Sequence, residues 1–130
     1  MTRYYHEHIE DFARRYVYRA DKRIDSFRII WKPEGPMHGD CDDFAATALW
    51  LAEDRNLRFF WFSLILGRAA IWRCVTDKGE RHAVLWHRDY GWIENNRKGW
   101  TDEPAPDLRL KHKRWVVTIA MKMLIGKVLP

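Results

Sequence analysis

The chain contains a run in which a cysteine opens a predicted helix: Gly39-Asp40-Cys41-Asp42-Asp43-Phe44-Ala45-Ala46-Thr47-Ala48-Leu49-Trp50-Leu51-Ala52-Glu53. Asp40 is a suitable N-cap, and Asp43 follows three residues later, where a capping box normally has Glu or Gln. Apolar positions such as Phe44 and Ala48 share one helical face, and the small alanines favour close packing against a sheet. We therefore expect a buried helix from Cys41 onward.

Cys41 is placed for thiol chemistry. A thiol at a helix N-terminus feels the positive end of the helix dipole, and the backbone N–H there is able to stabilise an oxyanion. Gly39 is expected to let a substrate backbone come close. Asp40, Asp42 and Asp43 act in the opposite direction, because nearby carboxylates disfavour a thiolate unless a cation is present. The alternative is that Cys41 is a small packing residue at a helix start.

His82 is the predicted partner of Cys41. It opens a strand after the turn over 77–81, and a Cys–His pair requires closeness in space rather than in sequence. A third group has to orient the imidazole, and the strand that returns through the next hairpin carries Glu94 and Asn95. Strand alternation points these two side chains to opposite faces, so only one faces His82. We expect it to be Glu94, because a carboxylate stabilises an imidazolium better than an amide does.

The sequence around the remaining cysteine and histidines gives fewer indications of a role in the site. Cys74 lies in a strand pattern and is predicted to be a packing residue rather than a disulfide partner. His38 is expected to line the site because it is close to Cys41 in sequence. His6 and His8 are two residues apart on a predicted helix, which points them to different faces. We therefore predict no metal and no cofactor.

Three motifs resemble those of the bacterial transglutaminase-like cysteine proteinases. That family has a Gly-Asp-Cys-Glu-Asp-Tyr/Phe-Ala helix start, a His-Ala-Val-Leu strand and a Leu-Asp-Asn strand end. The corresponding segments of this chain are 39–45, 82–85 and 91–95, in the same order. The similar region covers residues 27–96 and includes Trp31.

The resemblance implies a papain-like/transglutaminase-like core with Cys41 as nucleophile and His82 as base. The acid of the family falls on Glu94, whose longer side chain is a departure, and Asn95 is the other candidate for that role. The family's chains are longer, so this one resembles a compact version of the kind that phages encode. A bacterial or phage origin, including a virion-associated protein, is what this likeness implies.

Length and composition fit one domain over residues 1–130. The chain is 47% hydrophobic and 15% aromatic with eight Trp, which excludes a disordered protein. Its formal net charge is only +5 and no nucleic-acid motif is found, so a nucleic-acid binder is the weakest of three functions considered. The longest apolar run is Phe59–Leu66, far short of the ~20 residues that a membrane span needs. No signal-peptide pattern begins the chain, so a cytoplasmic location without membrane insertion is expected.

The rest of the chain predicts an α+β fold with a mostly antiparallel sheet. A helix is expected over 4–20, a short strand or extended arm over 24–32, and loops over 33–39 and 96–110. The predicted strands lie over 58–66, 69–76, 82–87, 92–95 and 114–121.

Two functions of different classes remain. The first is a cysteine-dependent amide hydrolase or acyl transferase that acts on a protein or peptide through a thioester on Cys41. The second is a catalytically inactive transglutaminase-like module with a protein-binding or structural role, since the many Trp residues offer interface anchors. The sequence determines neither the natural substrate nor the oligomeric state.

Overall fold

A computed structural model describes residues 3–19, 27–94, 97–104, 106, 108–113 and 116–128. Within these residues it contains four α-helices: α1 (Arg3–Arg15), α2 (Cys41–Ala52), α3 (Leu57–Ile65) and α4 (Val116–Val128). The strands of the same residues are β1 (Tyr16–Tyr18), β2 (Met37–Gly39), β3 (Ala69–Thr76), β4 (Arg81–His87), β5 (Gly91–Glu94), β6 (Arg97–Thr101) and β7 (Leu108–Lys113).

The main sheet has five strands in the order β6-β5-β4-β3-β7, and every neighbouring pair is antiparallel. Its two central pairings set Cys74 opposite His82 and Leu85 opposite Ile93. Strands β1 and β2 form a separate parallel pair. The predicted α+β class with a mostly antiparallel sheet is therefore confirmed.

Helix α2 lies at the centre of the core. Ten of its twelve residues are buried, and it packs against β3, β4 and β5. Phe44 and Ala48 of the helix belong to the same hydrophobic cluster as Leu85 and Ile93 of the sheet. The expected buried helix is present, with Glu53 as its C-cap.

The segment over 58–66 is a helix, so the predicted strand there is wrong. Asn56 caps α3, because its Oδ1 accepts the N–H groups of Arg58 at 2.9 Å and Phe59 at 3.2 Å. Phe60 and Leu64 are buried at helical spacing while most other apolar residues of α3 are exposed. An apolar run without period fits a buried strand or a helix equally well, and the Asn56 cap was the signal that distinguished them.

The C-terminal part also differs from expectation. The predicted loop over 96–110 contains β6 and the start of β7, and the predicted strand over 114–121 is replaced by α4 from residue 116. Residues 114 and 115 lie outside the described residues. Ile119 and Met123 of α4 are buried four residues apart, the spacing of one helical face. The strand in this part of the chain is β7, in which apolar and charged residues alternate along the sequence.

The N-terminal helix ends earlier than the predicted 4–20. Tyr16–Tyr18 forms β1 and pairs with β2, which lies inside the predicted loop over 33–39. Residues 27–32 have neither helix nor strand and run as an arm along α2, where the N–H of Ile30 donates to Thr47 Oγ1 at 2.9 Å. This agrees with the extended arm expected over 24–32, of which 24–26 lie outside the described residues.

A candidate membrane-spanning helix is not found: over the described residues, no helix combines the length and the apolar character that crossing a bilayer demands.

A buried histidine–carboxylate pair holds the C-terminal end of α2 on β4. His87 Nε2 lies 2.6 Å from Glu53 Oε1, and the His87 side chain is only 2% exposed. The N–H of Asp89 donates to His87 Nδ1 at 3.1 Å, so Nε2 carries the proton and donates to the carboxylate. The rings of Tyr90 and Trp100 pack around the imidazole at centroid distances of 4.9 and 6.2 Å.

The environment of Glu53 favours its ionised form. Burial by itself would raise the pKa of Glu53, but hydrogen bonds from His87 and Ser63 and the nearby Arg68 charge outweigh burial, so the pKa is lowered. An acid with a lowered folded pKa stabilises the fold above its unfolded pKa and loses that contribution as pH falls through the folded value.

We predict that Glu53→Gln lowers the free energy of unfolding by about 1 kcal/mol at neutral pH, a modest value because the carboxylate is partly exposed. Urea unfolding at neutral pH and well below the ordinary Glu pKa of 4.5 measures this. The difference from wild type should narrow in acid. Glu34→Gln, in the exposed loop before β2, is the control with no expected effect. An equal loss at both pH values would show that the Glu53 charge does not contribute.

Candidate active site

Cys41 is the first residue of α2, where the sequence placed it. The N–H of Asp43 donates to Asp40 Oδ1 at 2.9 Å, and the N–H of Asp40 donates to Asp43 Oδ2 at 3.2 Å. Both halves of the capping box are thus present, and Asp substitutes for the usual Glu. Cys41 is partly exposed and packs against the core, whereas Cys74 is fully buried, and neither forms a disulfide.

Tyr16 is a neighbour of this helix start that sequence reasoning missed. Its hydroxyl donates to the carbonyl oxygen of Gly39 at 2.8 Å. Burial, and then electrostatic interaction with Cys41, Asp40 and Asp43, raise the pKa of Tyr16, so the phenol stays neutral and keeps donating. The pattern placed Tyr16 on the predicted N-terminal helix, and only the tertiary pairing of β1 with β2 reveals its position.

The space beside Gly39 is filled by the protein's own side chains. A Cβ at this position would lie 2.8 Å from Asp43 Cβ and 2.9 Å from Ile30 Cδ1. Glycine is therefore required for close packing of β2 against α2 and the 27–32 arm. The expectation that Gly39 leaves room for a substrate backbone is corrected by this packing.

We predict that Gly39→Ala costs about 1–3 kcal/mol of unfolding free energy, because the new methyl group displaces the capping carboxylate of Asp43. Chemical denaturation measures the loss. Gly35→Ala, which meets no atom within 4 Å but has φ +84°, reports the cost of backbone strain alone. A smaller loss for Gly39→Ala than for Gly35→Ala would contradict the packing explanation.

His82 and Glu94 form a second buried pair. His82 Nε2 lies 2.6 Å from Glu94 Oε2, and the two side chains are 7% and 8% exposed. Because an ionised carboxylate only accepts, Nε2 carries the proton and Nδ1 is the ring nitrogen that can accept one. The structure thus places Glu94 against His82, while Asn95 lies outside the described residues. The catalytic roles of all these residues stay predictions.

Helix α2 and strand β4 are similar in length and contact one another at the Glu53–His87 end. The twelve steps from Cys41 to Glu53 span about 18 Å of helix, and the five steps from His82 to His87 span about 17 Å of strand. Glu53 is fixed on His87 at one end. A helix that runs from that contact in line with β4 would bring Cys41 level with His82 at the other end, and this closeness stays a prediction.

Strand alternation limits how the thiol reaches the imidazole. Ala83 and Leu85 share the core cluster with α2, so His82 and Glu94 point toward the other face of the sheet. His82 is only the second residue of β4. The thiol therefore has to meet His82 around the end of the strand, and that contact stays a prediction.

The other predicted residues are peripheral. His38 lies in β2, is partly exposed and sits opposite Val17. The side chains of His6 and His8 lie outside the described residues. In the part of the chain that the structure describes, no group of three His, Cys, Asp or Glu side chains is arranged to hold a metal ion.

Comparison with known proteins gives no match, either to a protein-family model or to a curated protein.

Proposed function

We propose that this protein is a cysteine-dependent amide hydrolase or acyl transferase of the transglutaminase-like type, with a protein or peptide substrate. The observation that carries the proposal is the buried 2.6 Å contact between His82 and Glu94. It lies on β4 and β5, two of the three strands against which the helix opened by Cys41 packs, with both side chains directed to the face away from that helix.

The pair of His82 and Glu94 can do more than join two strands. Burying two ionisable groups costs desolvation energy that well-packed apolar side chains would avoid. A carboxylate fixed on one imidazole nitrogen orients the ring, sets its tautomer and stabilises the imidazolium. These are the properties that a general base for a thiol requires.

In the proposed mechanism, His82 Nδ1 takes the proton from the Cys41 thiol. The thiolate attacks the amide carbonyl carbon, a C–S bond forms, and the carbonyl electron pair moves to oxygen. The N–H of Cys41 at the helix start stabilises this oxyanion. When the electron pair returns, the C–N bond breaks and His82 donates its proton to the leaving amine. Water or a second amine then takes the acyl group from the thioester and restores the thiol.

A catalytically inactive, protein-binding module is the second candidate. It is favoured by three buried carboxylates at the helix start, those of Asp40, Asp42 and Asp43. Negative charges so close to Cys41 oppose thiolate formation unless the imidazolium of His82 compensates them. The two candidates therefore differ in whether His82 controls the ionisation of Cys41.

We predict that Cys41 reacts with iodoacetamide through a thiolate that His82 stabilises. In a Cys74→Ala background, the pH profile of alkylation should titrate below the ordinary thiol pKa of about 8.5. His82→Ala should move the profile to that value or above and slow the reaction near neutral pH at least about tenfold. His38→Ala is the matched control and should leave the profile unchanged. Identical profiles for wild type and His82→Ala would favour the inactive module.

The orienting role of Glu94 has its own test. Glu94→Gln keeps the size of the side chain but removes its charge, so it should shift the alkylation profile in the same direction as His82→Ala by a smaller step. Asn95→Ala should not shift it, and thermal unfolding shows whether both variants fold. A shift with Asn95→Ala and none with Glu94→Gln would assign the role to Asn95.

A further inference from the structure

Two helices expose apolar stripes on the surface of the protein. Of the ten large hydrophobic side chains exposed in the described residues, eight lie on α3, at its C-cap or on α4. We call them the α3–α4 surface: Leu57, Phe59, Phe62, Ile65, Leu66, Val117, Met121 and Leu124, each 44–68% exposed. The other two, Val17 and Tyr18, belong to β1. Such a concentration of exposed apolar side chains marks an interaction surface.

The two stripes adjoin one another. A groove of about 390 Å³ runs between the helices, with Leu57 and Trp61 on the α3 side and Met123 and Leu124 on the α4 side. A second groove, of about 760 Å³, extends from Leu64 at the end of α3 to the start of α4. Three of the eight exposed residues line these grooves: Leu57 and Leu124 line the smaller one and Val117 lines the larger one.

The same part of the chain is uniformly basic. Residues 55–76 and 108–130 contain ten of the 23 Lys and Arg residues and none of the 18 Asp and Glu residues. Arg58, Arg68 and Lys113 are exposed, and Lys113 lines the larger groove. Acidic residues border these segments in sequence at Asp54, Asp77 and Asp107.

This charge pattern determines what fits the surface. A second copy of the chain would bring like charges together, which opposes association through this face. An anionic bilayer offers negative headgroups to the basic residues and an acyl boundary to the apolar stripes, as it does for interfacial amphipathic helices. We propose that the α3–α4 surface binds peripherally to an anionic lipid bilayer, with its apolar side chains at the acyl boundary and its basic residues on lipid phosphates.

Flotation with vesicles tests this proposal, which is independent of the catalytic one. The full chain should float with vesicles of two parts phosphatidylcholine to one part phosphatidylglycerol. Partitioning should be at least about tenfold weaker with phosphatidylcholine alone and should fall as salt is raised. Phe62→Glu and Leu124→Glu should each weaken binding about tenfold, because a carboxylate replaces an apolar group that the bilayer would bury. Val17→Glu, an exposed apolar residue on β1, is the matched control for both variants.

The contribution of the basic residues is tested with Arg58→Glu. Lys78→Glu is its control, because Lys78 is exposed in the turn between β3 and β4. Only Arg58→Glu should weaken binding. Circular dichroism shows that each variant folds. Equal binding by Phe62→Glu and Val17→Glu, or no binding of wild type to the anionic vesicles, would overturn the proposal. A dimer in sedimentation analysis that Phe62→Glu disperses, or binding to polyglutamate without binding to vesicles, would instead make the surface a protein interface.

Discussion

The burial of the N-terminal half of α2 is the constraint on which the rest of the fold depends. Polar groups taken out of water need hydrogen-bond partners, and this helix start carries several of them. Asp43 satisfies two backbone groups at once, because its carboxylate accepts the N–H of Asp40 and that of Arg28. Thr47 accepts from the N–H of Ile30 and donates to the carbonyl oxygen of Arg28. The arm over 27–32 is thus tied to the helix, and the position of Cys41 is fixed by the same bonds.

The two histidine–glutamate pairs have different structural consequences. The pair of His87 and Glu53 joins a strand to the end of α2, so it fixes the helix along β4. The pair of His82 and Glu94 joins β4 to β5. Both ring nitrogens of His87 are engaged, by Glu53 and by the N–H of Asp89, so His87 has no nitrogen left to act as a base. This contrast is why the catalytic proposal rests on His82 although both histidines are buried.

Caps, turn residues and apolar periodicity, which involve residues close together in the chain, predicted the elements that depend on them. Helix α2 was predicted because consecutive residues supply both its cap and its apolar face. Strands β3 to β5 were predicted from turn residues and runs of β-branched residues. Helices α3 and α4 were missed because an apolar or β-branched run fits both structures when no period is visible. Strands β1 and β2 are three residues each and exist only through their mutual pairing.

Some residues of the candidate site were predictable from neighbouring residues in the sequence, and others were not. Cys41 and His82 were singled out from their local context, and Glu94 from the expected return of the hairpin. The roles of Tyr16 and Gly39 were missed or misread because both depend on contacts between segments distant in the chain. The His87–Glu53 pair could not be read from sequence either, since it joins residues 34 positions apart.

The central claim is that Cys41 and His82 meet at the end of β4, and the separation of their side chains tests it most directly. A crystal structure of the protein alkylated by iodoacetamide would give the distance from Cys41 Sγ to His82 Nδ1. The account predicts a separation of about 4 Å, with Glu94 still bound to Nε2. A separation well beyond hydrogen-bond reach, or an imidazole that contacts only Glu94 and the strand core, would contradict it.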